Sequence, residues 1–247
     1  MSTYSKDEII KKLEVAKSEM WKFYSQDFVN YRGKTSDKEG YYYTEIIAKW
    51  LLDNIKLFND IKMISRENSY KVDSHDGKIK NEKSGREEEI VAMKLFDFSQ
   101  NQGKVFDIIG KIIDYQTPLK NVQTDDAGKI DLLAYNENEK TLRILELKKP
   151  DSKETMLRCV LEAYTYLKIV DKAKLLKDFG LPENIEIKAC PFVFYGKEQY
   201  REIQEDRKHL KDLIEKLGVE VIYLEEKDGE YSIKNRLYNN GGGNVKY

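Results

Sequence analysis

Two apolar runs separated by a short polar segment constrain this chain most: Lys129-Ile130-Asp131-Leu132-Leu133-Ala134-Tyr135, then Asn136-Glu137-Asn138-Glu139-Lys140, then Thr141-Leu142-Arg143-Ile144-Leu145-Glu146-Leu147-Lys148-Lys149. Text of this kind predicts a β-hairpin. With the turn centred near Asn138 and Glu139, antiparallel pairing sets Asp131 opposite Glu146 or one residue away. Strand side chains alternate, so Leu142, Ile144, Glu146 and Lys148 share one face while Leu145 and Leu147 occupy the other. Apolar residues on both faces predict a central strand covered on both sides. Such a strand offers charge no solvated face, yet Asp131, Glu146 and Lys148 converge at one end of it.

Like charges placed opposite each other on neighbouring strands are destabilising, and burying an unpaired carboxylate is costly. A hard divalent cation, Mg²⁺ or Mn²⁺, would offset that cost, because carboxylate and carbonyl oxygens are its preferred ligands. Lys148 would then orient a water nucleophile or stabilise developing negative charge. An ordinary ion cluster, with Lys148 neutralising Glu146 and Asp131 solvated beside it, accounts for the same residues.

The rest of the chain supplies the elements around this hairpin. Ile9, Leu13 and Met20 recur at helical spacing, and Ile46, Ile47, Trp50, Leu51 and Ile55 give an apolar face to a helix over 43–57. Residues 63–72 are compatible with a strand, and Ser74-His75-Asp76-Gly77 reads as a turn. Beyond them the pattern predicts a helix over 85–98, strands over 112–119, 129–135 and 141–149, a helix over 153–170, a strand over 185–195, a helix over 198–217 and a strand over 219–224. This order predicts an α/β fold with a mixed β-sheet flanked by helices. Residues 1–84 form an N-terminal helical extension, 85–238 the main domain and 239–247 a flexible tail.

The Asp131 … Glu146-Leu147-Lys148 arrangement resembles the PD-(D/E)XK nuclease superfamily, in which an Asp on one strand is followed by a hairpin and a (Asp/Glu)-x-Lys on the next. Ile130 stands where the motif's name has Pro. The resemblance covers residues 85–195 and implies a restriction-endonuclease-like sheet, Mg²⁺ (or Mn²⁺) as cofactor, and hydrolysis of DNA phosphodiesters in restriction, repair or defence. It implies that Asp131 and Glu146 ligate the metal with the Leu147 carbonyl, that Glu88 or Glu89 on the preceding helix completes the site, and that Lys148 positions the attacking water. Periodicity does not choose between the two glutamates, and acidic residues also favour a first helical turn through the macrodipole.

On the helix after the motif, Arg158, Glu162 and Tyr166 form a second stripe at four-residue spacing. Exonuclease-type members carry Gln-x-x-x-Tyr here; this chain matches the Tyr and has Glu162 for the Gln. Lys149 and Arg158 are candidates for phosphate contacts, and Glu162 and Tyr166 join them as substrate-binding candidates.

Lys and Arg total 43 against 44 Asp and Glu, a net charge of -1, so any nucleic-acid surface must be local rather than global. The balance excludes a polybasic tail protein and an acidic disordered chain. No apolar run is long enough for a membrane span, and the polar N-terminus is unlike a signal peptide. The 2 cysteines, Cys159 and Cys190, read as reduced core thiols. These features predict a cytoplasmic protein whose partner is DNA, with RNA not excluded, acting alone, as a homodimer or with a partner subunit. The rival expectation is a non-catalytic nucleic-acid-binding or protein-interaction module of the same fold.

Overall fold

A computed structural model describes residues 3–78, 86–120 and 128–237. The expected junction at 84/85 and the tail at 239–247 lie outside them. Helices α1 (Lys6–Ala16) and α2 (Tyr43–Asp53) come first. Ser5 and Glu8 form a reciprocal capping box that starts α1. Then come α3 (Glu87–Gln100), the strands β1 (Lys111–Pro118), β2 (Lys129–Asn136) and β3 (Thr141–Leu147), α4 (Met156–Ile169), α5 (Lys172–Asp178) and β4 (Glu186–Phe194). Helices α6 (Glu198–Gln204) and α7 (Lys208–Leu217) and strands β5 (Val221–Lys227) and β6 (Glu230–Leu237) complete the described chain.

The strands form one 6-stranded sheet in sequential order. β1, β2 and β3 are an antiparallel meander; β3, β4 and β5 run parallel; β6 pairs antiparallel to β5. Parallel neighbours need a crossover, which α4 and α5 supply between β3 and β4, and α6 and α7 between β4 and β5. Every residue of β3 is buried, as expected of a strand covered on both faces. Leu132, Ala134, Leu145 and Leu147 pack under Ala92, Leu95 and Phe96 of α3. Leu133, Leu142 and Ile144 belong to the opposite core, with Met156, Val160 and Ala163 of α4. Ile9 and Leu13 of α1 and Ile47 and Leu51 of α2 lie in that same core, so the N-terminal helices are a layer packed over α4. No described helix is long and apolar enough to cross a membrane.

Several expected boundaries move. Residues 63–72 form no strand: no neighbouring strand pairs with them, and they strap across the end of α4, where the Ile64 N–H donates to the Ile169 carbonyl at 2.7 Å. The helix expected over 198–217 is two helices, because the N–H groups of His209 and Leu210 in the first turn of α7 donate to the Glu45 carboxylate on α2 at 2.9 and 3.0 Å. The helix after the motif starts at Met156 rather than 153, capped by Thr155. α5 and β6 were not expected. β6 follows a two-residue turn, Asp228-Gly229, with both residues at positive φ, which matches the twist of a tight hairpin. Cys159 and Cys190 are buried thiols, as expected.

Candidate active site

The hairpin pairs Leu132 with Leu145 and Leu133 with Ile144. One step further along this register faces Asp131 with Glu146, where the ladder gives way to a side-chain bond. The Leu147 N–H donates to Asp131 Oδ2 at 2.9 Å. Gln116 Nε2 on β1 donates to Asp131 Oδ1 at 2.9 Å. Each carboxylate oxygen thus accepts one bond and keeps capacity for another ligand.

Glu146 is buried at the end of β3. Its Oε1 accepts from Lys148 Nζ at 3.0 Å, and its Oε2 is buried with no hydrogen-bond partner. An orphaned buried acceptor costs about 1–3 kcal/mol. Burial is the main cause that raises the Glu146 carboxyl well above its ordinary range, and the charges of Asp131 and Glu162 add to it. Burial likewise pushes Asp131 up to about 7, with Lys148 opposing and Glu88 and Glu162 reinforcing.

Lys148 lies just past β3, its N–H bonded to the Phe192 carbonyl of β4 at 3.0 Å. Its buried ammonium sits 3.0 Å from Glu146 Oε1, 2.9 Å from Glu162 Oε2 and 3.1 Å from Glu154 Oε2. Burial alone would lower its pKa; Glu146 and Glu162 outweigh that and hold it well above the usual lysine range. Lys148 is therefore a cation at neutral pH, able to donate hydrogen bonds and unable to accept a proton.

The helical stripe lies along this cluster. Glu162 Oε1 accepts from the Tyr166 hydroxyl at 3.4 Å. A Cβ at Gly128, just before β2, would clash with that hydroxyl, so the glycine permits its close approach. Tyr166 also packs edge-on against Tyr24 of the N-terminal layer. Arg158 shares the Glu154 carboxylate with Lys148: its Nε is 2.9 Å from Glu154 Oε1, and its Nη1 donates to the Tyr24 carbonyl at 3.3 Å. The N-terminal layer also holds the start of α4, since Thr155 donates to the Asn30 side chain and to the Val29 carbonyl at 2.7 and 2.8 Å.

Glu88 and Glu89 are now distinguishable. Glu88 Oε1 accepts from the Lys149 N–H at 3.0 Å, tying α3 to the end of the motif. Glu89 pairs with Arg86 at 3.3 Å on its own helix. Both line an open cleft of about 350 Å³ with Arg86, Glu87, Gln116, Asp131 and Lys149. Lys149 is partly exposed there and pairs with Glu87 and Asp151 at 3.2 and 3.5 Å.

Among the described residues, no three His, Cys, Asp or Glu side chains converge into a ready metal cage. Mg²⁺ does not require one; it is commonly held by one or two carboxylates, keeps several waters and takes further oxygens from substrate phosphates. The carboxylates of Asp131 and Glu146 could contribute to a donor set of that kind, with the Leu147 carbonyl as the resemblance implies, and the orphaned Glu146 oxygen is an acceptor that a cation would satisfy.

Sequence reasoning missed Glu154 as a partner of Lys148, although it extends the four-residue stripe 158, 162, 166 backwards. It also missed Gln116, a polar side chain in an otherwise apolar strand, and Tyr24, for which the sequence carries no signal. His75, in the segment read as a turn, bonds Asp114 at 2.7 Å and stacks on Tyr115. Comparison with protein-family models, curated proteins and solved structures finds no match to this chain.

Proposed function

We propose that this chain is a metal-dependent nuclease of the PD-(D/E)XK type that hydrolyses phosphodiester bonds of DNA. The observation that carries the reading is the meeting of Asp131 and Glu146 at the end of the central hairpin, beside Lys148, with one buried Glu146 oxygen lacking any donor. The element order α3-β1-β2-β3-α4-α5-β4 follows the core that the resemblance implies, with α5 added before β4.

Asp131, Glu146 and the Leu147 carbonyl would hold Mg²⁺ or Mn²⁺, and Glu88 is better placed than Glu89 to support them, being tied to Lys149. The cation would supply Lewis-acid stabilisation of phosphoryl oxygens. Lys148, its ammonium held cationic at neutral pH by the surrounding carboxylates, orients the attacking water and stabilises charge developing on the phosphoryl group. Glu162 and Glu154 hold that ammonium in place. Gln116 and the Leu147 N–H fix the Asp131 carboxylate before substrate arrives. Lys149, a partly exposed cation that lines the cleft together with Arg86, is the candidate for contact with a phosphate.

A second reading, a non-catalytic binding module, draws on one observation: Lys148 is fully engaged by the carboxylates of Glu146, Glu154 and Glu162. A cleavage assay separates the two. Supercoiled, linear and single-stranded DNA are incubated with Mg²⁺ or Mn²⁺ and with wild type or Lys148→Ala. Metal-dependent cleavage by wild type alone supports the nuclease; DNA binding by wild type without cleavage of any substrate supports the module.

A further inference from the structure

Gln116 is the residue of β1 whose backbone sits in the left-handed region, at φ 49, apart from the register shift that β1 also carries between Ile112 and Asp114. The left-handed region is uncommon for a side chain other than glycine and persists only where the surroundings impose it. Here the surroundings are specific. Tyr115 pairs with Leu132 and Thr117 with Ile130, so Gln116 stands across from Asp131 between two ordinary ladder pairs. Its side chain donates to Asp131 Oδ1 at 2.9 Å and lines the open cleft with Glu88 and Lys149. Neither the hairpin motif nor the helical stripe includes β1.

We infer that Gln116 is a positioning residue that fixes the Asp131 carboxylate for a divalent cation, and that the left-handed backbone is retained in β1 because it delivers this amide. The inference rests on the reading of Asp131 as a metal ligand. A partner that orients a metal-binding carboxylate typically contributes about 10–100-fold to metal affinity.

The full chain is titrated with Mn²⁺ alone by calorimetry, as wild type, Asp131→Asn, Gln116→Met and Gln116→Gly, with the Tm of each recorded. Gln116→Met keeps the length and the left-handed backbone but removes the donor. Gln116→Gly removes the donor and adopts this φ without steric cost. Both are expected to weaken Mn²⁺ binding by about 10–100-fold, while the Tm of Gln116→Gly stays at or above that of wild type. A merely structural role would make affinity follow stability. Wild-type Mn²⁺ affinity in either Gln116 variant overturns the positioning role and leaves the metal site standing. No Mn²⁺ binding by wild type, or binding that survives Asp131→Asn, overturns the metal-site reading and the positioning role with it.

Discussion

The Glu162 carboxylate accepts from the Lys148 ammonium at 2.9 Å, so the helix that follows the motif is tied directly to the lysine that ends it. A glutamine at 162 would keep a carbonyl acceptor for Lys148 and remove one of the negative charges around it. Glu162→Gln is expected to raise the Tm of the metal-free protein and to cleave DNA at a rate comparable to wild type. A loss of ~100-fold or more, the scale of a general acid or base, would give the carboxylate a direct part in the chemistry.

Lys148 and Glu146 should respond in opposite directions. Lys148→Ala leaves Glu146 and Glu162 buried without their shared cation, a change that costs about 3–5 kcal/mol in comparable buried pairs. Chemical denaturation at pH 7 should show a loss of that size, shrinking at acid pH as Glu146, whose carboxyl is held above its ordinary range, protonates, and cleavage should vanish. Glu146→Gln removes a charge whose Oε2 has no donor. Its metal-free stability should equal or exceed that of wild type, while the Tm increase caused by Mg²⁺ and the cleavage activity both disappear. A Glu146→Gln protein that still responds to Mg²⁺ would exclude Glu146 as a ligand.

The metal-free protein should lose stability as pH rises through neutrality. Asp131 is raised from 3.8 to about 7, so the folded state binds more protons than the unfolded chain between these values. The stability from this proton is complete below the unfolded value and is lost as pH passes about 7. Glu146 is shifted in the same direction. A divalent cation competes with the proton, so Mg²⁺ should raise the Tm more at pH 8 than at pH 6. Scanning calorimetry at both pH values, with Mg²⁺ and with chelator, measures this; an equal increment at both would disprove proton–metal competition.

The far end of β3 provides a stability control. Arg143 is fully buried, paired with Glu220 at 2.6 Å and with Glu139 at 2.5 Å, and it donates to the Ile108 carbonyl at 2.8 Å. Arg143→Leu removes the cation paired with the buried Glu220 carboxylate and should cost about 3–5 kcal/mol. Adding Glu220→Leu should recover much of that loss. Denaturant midpoints of both variants measure the coupling, and the folded fraction of each should retain wild-type Mn²⁺ affinity.

The hairpin was legible because its two signals agree: two continuous apolar runs mark strands covered on both faces, and the polar loop between them sets the register that brings Asp131 to Glu146. The stripe 158, 162, 166 was legible from helical spacing alone, though spacing did not show that Arg158 turns to Glu154 and Tyr24 while Glu162 turns to Lys148. β6 was announced by Asp228-Gly229, a turn signal that went unread. Other features had no local signal. The break between α6 and α7 depends on Glu45, far away in sequence, capping α7. The failure of residues 63–72 to form a strand depends on which neighbour is available. The left-handed Gln116 opposes the local preference of its strand, and nothing in the residues of β1 announces it.

β3 carries a buried ionic anchor at one end, Arg143 with Glu220, and the Glu146–Lys148 pair at the other. Alternation places these two groups on opposite faces of the strand. A slip of one residue would exchange both faces together, pressing Arg143 toward the aliphatic side chains of α4 and Glu146 toward those of α3. Neither misplacement could be relieved without the other. The two clusters are thus tied through one strand: the register that buries Arg143 against Glu220 is the same register that sets Glu146 beside Lys148.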